Sequence, residues 1–223
     1  AADTIKKYYP EAQINAIIPY LAYSRQDRAF AATSSVAADL VLKLLCASAI
    51  DKVICIDLHS NRLLLNSPVQ LHNLNPAPIF ASYLMQNYNL EDFIILAPDQ
   101  GARARANNLA ALLNIPYEVA NKTRSNSGIF HSIPHISLGK NYVIVDDIID
   151  RGSTIISISE ILHNNGAKQI LVCASCGIFS ANAYEKIEAS PIDKILTLEI
   201  RDKSYGSNKI VALNALDIFK EIL

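Results

Sequence analysis

The sequence predicts an α/β protein built from mainly parallel sheets flanked by helices. Three observations predict it. Short apolar runs alternate with longer stretches of helical periodicity. The runs lack polar alternation. The charged residues that could do chemistry collect where the runs end. The runs span 14–20, 52–57, 93–97, 142–145, 169–174 and 194–198, each rich in Ile, Val or Leu. Strands covered on both faces, as in a parallel sheet, read this way. Between them, residues 36–49, 78–88, 102–113 and 153–165 carry apolar residues at helical spacing. Strand–helix alternation of this kind argues for α/β architecture. Gly166 is placed to end one helix and Pro78 to open another. A Pro-bearing stretch at 66–78 is expected to join two lobes.

Composition narrows the class. The chain has 223 residues, of which 51% are hydrophobic, with a net charge of −1. That excludes a disordered chain and the basic footprint of a nucleic-acid binder. Any anionic ligand must be held by local groups. Cys46, Cys55, Cys173 and Cys176 lie in apolar surroundings, as free thiols in a reducing compartment do. Lys43 interrupts the longest apolar stretch near the start, so no membrane partner is expected. A soluble, cytoplasmic protein is the expectation. Ala1 opens a helix-like stretch without an initiating Met, and the expectation is a chain that begins partway into a domain.

Four strand ends carry candidate chemistry. The run 143–145 leads into Asp146, Asp147, Ile148, Ile149, Asp150, Arg151, Gly152, Ser153 and Thr154, and then a helix. Backbone N–H groups of Gly152, Ser153 and Thr154 at a helix N-terminus suit a phosphate. Carboxylates there suit sugar hydroxyls or a metal ion. Phosphate plus polyol reads as a sugar phosphate. A single Asp would serve equally well as a helix cap. Pro98, Asp99, Gln100, Gly101, Ala102, Arg103, Ala104 and Arg105 also follow a strand. Asp99 could hold Mg²⁺ and the arginines could meet phosphates, or the segment could be a solvated helix start. Asp57, Leu58 and His59 end a third strand, with His59 either a ligand or a structural imidazole. Arg25, Gln26, Asp27 and Arg28 follow the first run, as phosphate forks or as a surface turn.

Taken together, these segments resemble the class I ribose-phosphate diphosphokinases (phosphoribosyl diphosphate synthetases), of phosphoribosyltransferase-type fold. The resemblance covers about residues 14 to 198. It implies two phosphoribosyltransferase-like lobes, 1–75 and 76–223, the first partial at its N-terminus and the second carrying the ribose 5-phosphate loop. It implies transfer of diphosphate from Mg-ATP to C1 of ribose 5-phosphate, with release of AMP. Arg25, Gln26 and Asp27 resemble the ATP-binding segment, and His59 and Asp99 the Mg²⁺ ligands. Asp146, Asp147, Asp150, Gly152, Ser153 and Thr154 resemble the ribose 5-phosphate loop. Lys122 and Arg124 match a cationic pair in a mobile loop that closes over the reacting phosphates, with Asn126 matching a nearby Asn. Composition alone would leave that loop a polar surface segment. Residues 177–180 also fit a family segment. A homo-oligomer, dimer or hexamer, is implied.

The chain departs from the family pattern at Phe30, at 61–65, and at Ala102, Arg151, Ser153 and Cys176. The alternatives are a non-catalytic homologue that assembles with active synthetases, or a phosphoribosyltransferase that would share only the 146–154 loop. A scaffold domain is the third alternative, and four charged strand ends argue against it.

Overall fold

A computed structural model of the chain describes residues 1–29, 31, 33–125, 128–134, 136–199 and 205–219. The chain divides into two compact units, Ala1–Asn75 and Pro76–Leu223. Both hold a parallel sheet with helices, the α/β architecture that unalternated apolar runs require.

The first unit runs α1 (Ala2–Tyr8), β1 (Asn15–Ile17), α2 (Ala37–Ala47), β2 (Lys52–Ile56), α3 (Arg62–Asn66) and β3 (Gln70–Leu74). Its sheet has the order β1-β2-β3, all parallel. Val53 and Cys55 on β2, Ala38 and Leu42 on α2, and Leu58, Leu63 and Val69 form the core. Helix α1 buries no residue. It is tied down instead through Asp51, whose carboxylate accepts from Ile14 N at 2.7 Å and from Lys6 Nζ at 3.1 Å. Those two bonds hold the Asp51 carboxyl below its ordinary range. The stretch 66–78, expected to be a connection, contains β3. Its alternating residues pair with Lys52–Ile56, and that pairing outweighs the weak strand propensity of Gln, His and Asn.

The second unit runs α4 (Ala77–Asn87), β4 (Phe93–Ala97), a 3-10 turn (Gln100–Ala102), α5 (Arg103–Leu113), β5 (Tyr117–Val119), β6 (Asn121–Ser125) and β7 (Gly128–Ser132). It continues with β8 (Asn141–Ile149), α6 (Ser153–Asn164), β9 (Ile170–Gly177), α7 (Ala183–Ala189), β10 (Lys194–Glu199), β11 (Ile210–Asn214) and a 3-10 turn (Leu216–Phe219). The main sheet has the order β11-β10-β9-β8-β4-β5, parallel throughout. β6 and β7 form a separate antiparallel ribbon. Helix α6 buries Ile155, Ile158 and Leu162 at helical spacing against Ile144, Val172 and Ala174 of the sheet. Gly166, with φ 82°, follows α6 and donates its N–H to His163 O at 2.9 Å. That is the left-handed ending a glycine allows.

Strand β8 is longer than its apolar run. It continues through Asp146 and Asp147 to Ile149 because β9 also runs on, pairing Asp146 with Ala174 and Ile149 with Gly177. The acidic pair is therefore part of a central strand, not the loop after it.

The connection from β7 back to β8 is pinned by Tyr142, whose side chain is fully buried. Its hydroxyl accepts from Ser137 N at 2.9 Å. Tyr142→Phe leaves that part-buried N–H without its acceptor. It should destabilise the fold by about 1–3 kcal/mol, read as a lower urea midpoint at unchanged m. An unchanged midpoint would show that water replaces the phenol at no cost.

Candidate functional site

In the first unit the candidate residues sit at the carboxyl ends of neighbouring parallel strands. Ile18 N donates to Ile54 O at 2.8 Å and Ile56 N to Pro19 O at 3.0 Å, so the loops after β1 and β2 leave the sheet side by side. The loop after β1 turns at Tyr23, φ 63°, with Gln26 N donating to Tyr23 O at 2.8 Å. Gln26 O in turn accepts from Ala38 N at 3.3 Å, at the start of α2. Arg25 and Gln26 are exposed, whereas Asp27 is only 8% exposed. A ligand arriving from solvent meets the first two. The Arg28–Asp27 pair at 4.0 Å is loose, with Arg28 largely in water, and such pairs contribute little.

After β2 the backbone is strained. Asp57 has φ 51°, a left-handed conformation that an L-residue adopts only when its surroundings demand it. The demand comes from β3: Asp57 N donates to Leu74 O at 3.0 Å, and Leu58 N to the Asn73 side-chain oxygen at 2.8 Å. This turn fixes the direction in which the half-buried His59 leaves the sheet.

The second unit brings two strand ends side by side, those of β4 and β8. The loop after β4 opens with Asp99, whose Oδ1 accepts from Gly101 N at 2.9 Å. Asp99 thus caps the 3-10 turn, the local role that any Asp could take here. A Cβ at Gly101 would lie 3.0 Å from that Oδ1, so the close turn favours glycine. Beside it, across the β4–β8 pairing, lies the acidic end of β8. Asp146 Oδ1 accepts from Asp147 N at 2.9 Å, and Asp147 is 8% exposed. Burial, and then the neighbouring Asp147 carboxylate, push the Asp146 carboxyl well above its usual range. The guanidinium of Arg105, half-buried on α5, works the other way. Arg105 is a residue that the strand-end pattern flagged only as one of two possible phosphate ligands. Its nearness to Asp146 depends on the β4–α5 turn, where its Nη1 also donates to Gly101 O at 3.3 Å.

Next comes the start of α6. Gly152 takes φ 73° and, lacking a side chain, places no cap on the helix. The first-turn N–H groups of a helix lack intrahelical acceptors. Here they sit beside exposed Ser153 and half-buried Thr154 at the head of a twelve-residue helix. Asp150 is half-buried just ahead of them. One strand end therefore offers hydrogen-bond acceptors for hydroxyls and donors for a phosphate within nine residues of chain.

Lys122 and Arg124 lie on β6, paired in register with His131 and Ile129 of β7. The expected loop is thus an antiparallel ribbon at these positions, and their side chains lie outside the described part of the structure. Asn126 and Phe30 also lie outside it. Cys55 and Cys173 are buried, and burial pushes the Cys55 thiol up to about 12 and that of Cys173 higher still. Neither is a ready nucleophile.

Among the described residues, no group of three or more His, Cys, Asp or Glu could hold a metal ion. Mg²⁺ commonly keeps several waters and binds through one or two carboxylates plus substrate phosphates. Sparse protein donors such as Asp99 fit an ion that arrives with a phosphorylated substrate. Among the described residues, no helix is long and apolar enough to cross a membrane.

The raised Asp146 carboxyl has a consequence for stability. It binds its proton more tightly in the fold than in the unfolded chain. The fold is therefore favoured below the ordinary carboxylate range and loses that advantage as the pH rises through the folded pKa. Asp146→Asn keeps an oxygen for Asp147 N and removes the charge. Its melting temperature should exceed that of the parent at pH 7, by about 2–4 °C for each kcal/mol gained, and the gap should close towards pH 4. A lower melting temperature at pH 7 would mean that the charged pair stabilises the fold.

Comparison with known proteins places this geometry. Residues 77–208 match the family model of the phosphoribosyl transferase domain, and residues 2–48 that of the N-terminal domain of ribose phosphate pyrophosphokinase. A ribose-phosphate pyrophosphokinase from Aquifex aeolicus is 34% identical over 220 residues, covering 96% of this chain and 70% of the relative. Another, from Caldanaerobacter subterraneus, is 34% identical over 187 residues, covering 83% of this chain and 59% of the relative. Across the first relatives matched, the chain spans between 54% and 70% of their length. The crystal structure of a phosphoribosylpyrophosphate synthetase from Mycobacterium smegmatis shares the fold, with a TM-score of 0.87 at 24% identity, over 98% of this chain and 72% of that one. By these matches the chain belongs to the ribose-phosphate pyrophosphokinase family.

Proposed function

We propose that the chain carries out diphosphate transfer from Mg-ATP to C1 of ribose 5-phosphate, giving phosphoribosyl diphosphate and AMP. The observation that carries this is the end of β8, where the buried Asp147 and the half-buried Asp146 and Asp150 stand ahead of an uncapped helix N-terminus. Asp146, Asp147 and Asp150 accept hydrogen bonds from ribose hydroxyls. The N–H groups of Gly152, Ser153 and Thr154 bind the 5-phosphate. Arg25 and Gln26, exposed on the loop after β1, bind ATP. Buried Asp27 supports them by filling the base of that loop.

Mg²⁺ is assigned to Asp99 in the second unit and to His59 in the first, each at a strand end in its own unit. When bound, the ion would neutralise and orient the diphosphate oxygens. The C1 hydroxyl attacks the β-phosphorus, and the α–β bridging oxygen departs with AMP. Charge in such a transfer spreads over the phosphoryl oxygens, so positioning and electrostatics dominate. Lys122 and Arg124, two residues apart on β6, supply cations to those oxygens. A homo-oligomer belongs to the same proposal. Leu40 and Leu44, four residues apart on α2 and 57% and 59% exposed, are the kind of surface that contact between copies would cover. A cytoplasmic location is supported by four free cysteines.

The test is AMP release from ATP, ribose 5-phosphate and Mg²⁺. The parent chain should turn over. Lys122→Ala combined with Arg124→Ala should lower turnover by about 10³ or more, while calorimetric affinity for ribose 5-phosphate changes by less than about threefold, since neither residue is assigned to the sugar. Turnover that survives the double substitution rejects the role of the ribbon.

A further inference from the structure

The end of β9 closes in a turn with two residues in left-handed conformations, Phe179 at φ 51° and Ala181 at φ 54°. Residues with a Cβ rarely take these values. Three backbone bonds fasten the turn to the end of β8. Ile178 N and Phe179 N donate to Ile149 O at 2.9 and 3.1 Å, and Ser180 N donates to Asp150 O at 3.0 Å. The Phe179 ring is 4% exposed and packs against Tyr184 and Tyr205, each with centroids at 5.3 Å. A Cβ at Gly177 would overlap the edge of that ring, so glycine is what lets Phe179 fold back. The outcome of these constraints is one side-chain contact: the Ser180 hydroxyl donates to Asp150 Oδ1.

We infer that Ser180 is a positioning residue for the sugar-phosphate site, setting the Asp150 carboxylate before ribose 5-phosphate arrives. The inference rests on the proposed role of Asp150 in sugar binding. The backbone bonds already hold the turn in place, so the hydroxyl is not needed as a staple. What it restrains is the orientation of a half-buried carboxylate that would otherwise rotate. A carboxylate fixed in advance loses less freedom when a hydroxyl docks on it. The left-handed turn is the means by which a residue thirty positions downstream reaches Asp150.

The experiment compares the parent chain with Ser180→Ala, Ser180→Thr, Asp150→Ala and the Ser180→Ala/Asp150→Ala double variant. Calorimetry reads ribose 5-phosphate affinity, and initial rates at varied ribose 5-phosphate and ATP read KM and kcat. Ser180→Ala should raise the Kd and KM for ribose 5-phosphate about five- to tenfold, the size of one hydrogen bond's net contribution. The KM for ATP and kcat should move by less than about twofold, because only sugar docking is affected. Ser180→Thr, which keeps the hydroxyl, should return to within about twofold of the parent. In the Asp150→Ala background, Ser180→Ala should add nothing. An unchanged KM for the sugar phosphate in Ser180→Ala, or losses that add in the double variant, would overturn the inference while the function stands. Loss of cooperative melting in Ser180→Ala would make the hydroxyl a structural staple and overturn it too. A parent chain that binds no ribose 5-phosphate would remove the function itself, and the inference with it.

Discussion

The parallel pairing of β4 with β8 is the constraint on which the chemistry of the larger unit depends. Those strands meet where the order of the sheet reverses. From β4 the chain moves outward to β5, and from β8 it moves the other way through β9, β10 and β11. At such a switch point the two connections leave in opposite directions, and a crevice opens at the carboxyl ends. The register Phe93–Asn141 to Leu96–Ile144 brings the Asp99 turn beside the acidic end of β8. The apolar residues below it, Ile95, Leu96, Val143 and Ile144, are all fully buried. They hold the strand ends rigidly enough for carboxylates to be kept in costly surroundings.

The cost is electrostatic. Desolvation and the adjacency of Asp147 both work against charge on Asp146, and Arg105 offsets part of it. Such an arrangement weakens the fold at neutral pH, the kind of cost that gathers at functional sites. The same theme recurs in backbone form. Asp57 and Phe179 both hold left-handed conformations at strand ends, and each is fixed by bonds from a neighbouring strand. Strain of this kind gathers where geometry matters more than stability.

Much of this was legible in the chain, and the reasons differ by residue. Phe93–Ala97 could be read with correct bounds because a central parallel strand has no polar face to dilute its apolar run. The acidic pair reads as chemistry but not as strand, because two aspartates end a run by composition while the partner strand decides where β8 stops. β3 reads as a connection because Gln, His and Asn suit a loop, and only its pairing with β2 makes it a strand. β6 holds no apolar residue at all, and Lys122 and Arg124 are picked out by family resemblance alone. The contact of Ser180 with Asp150 could not be read from local pattern. It depends on the parallel register of β8 and β9 and on a left-handed turn.

A crystal structure of the chain soaked with ribose 5-phosphate would show whether the end of β8 cradles the sugar phosphate. The ribose hydroxyls should lie about 2.6–3.2 Å from the Asp146 and Asp147 carboxylates, with the 5-phosphate on the N–H groups of Gly152, Ser153 and Thr154. Ribose 5-phosphate bound elsewhere on the chain, with the head of α6 empty, would contradict it.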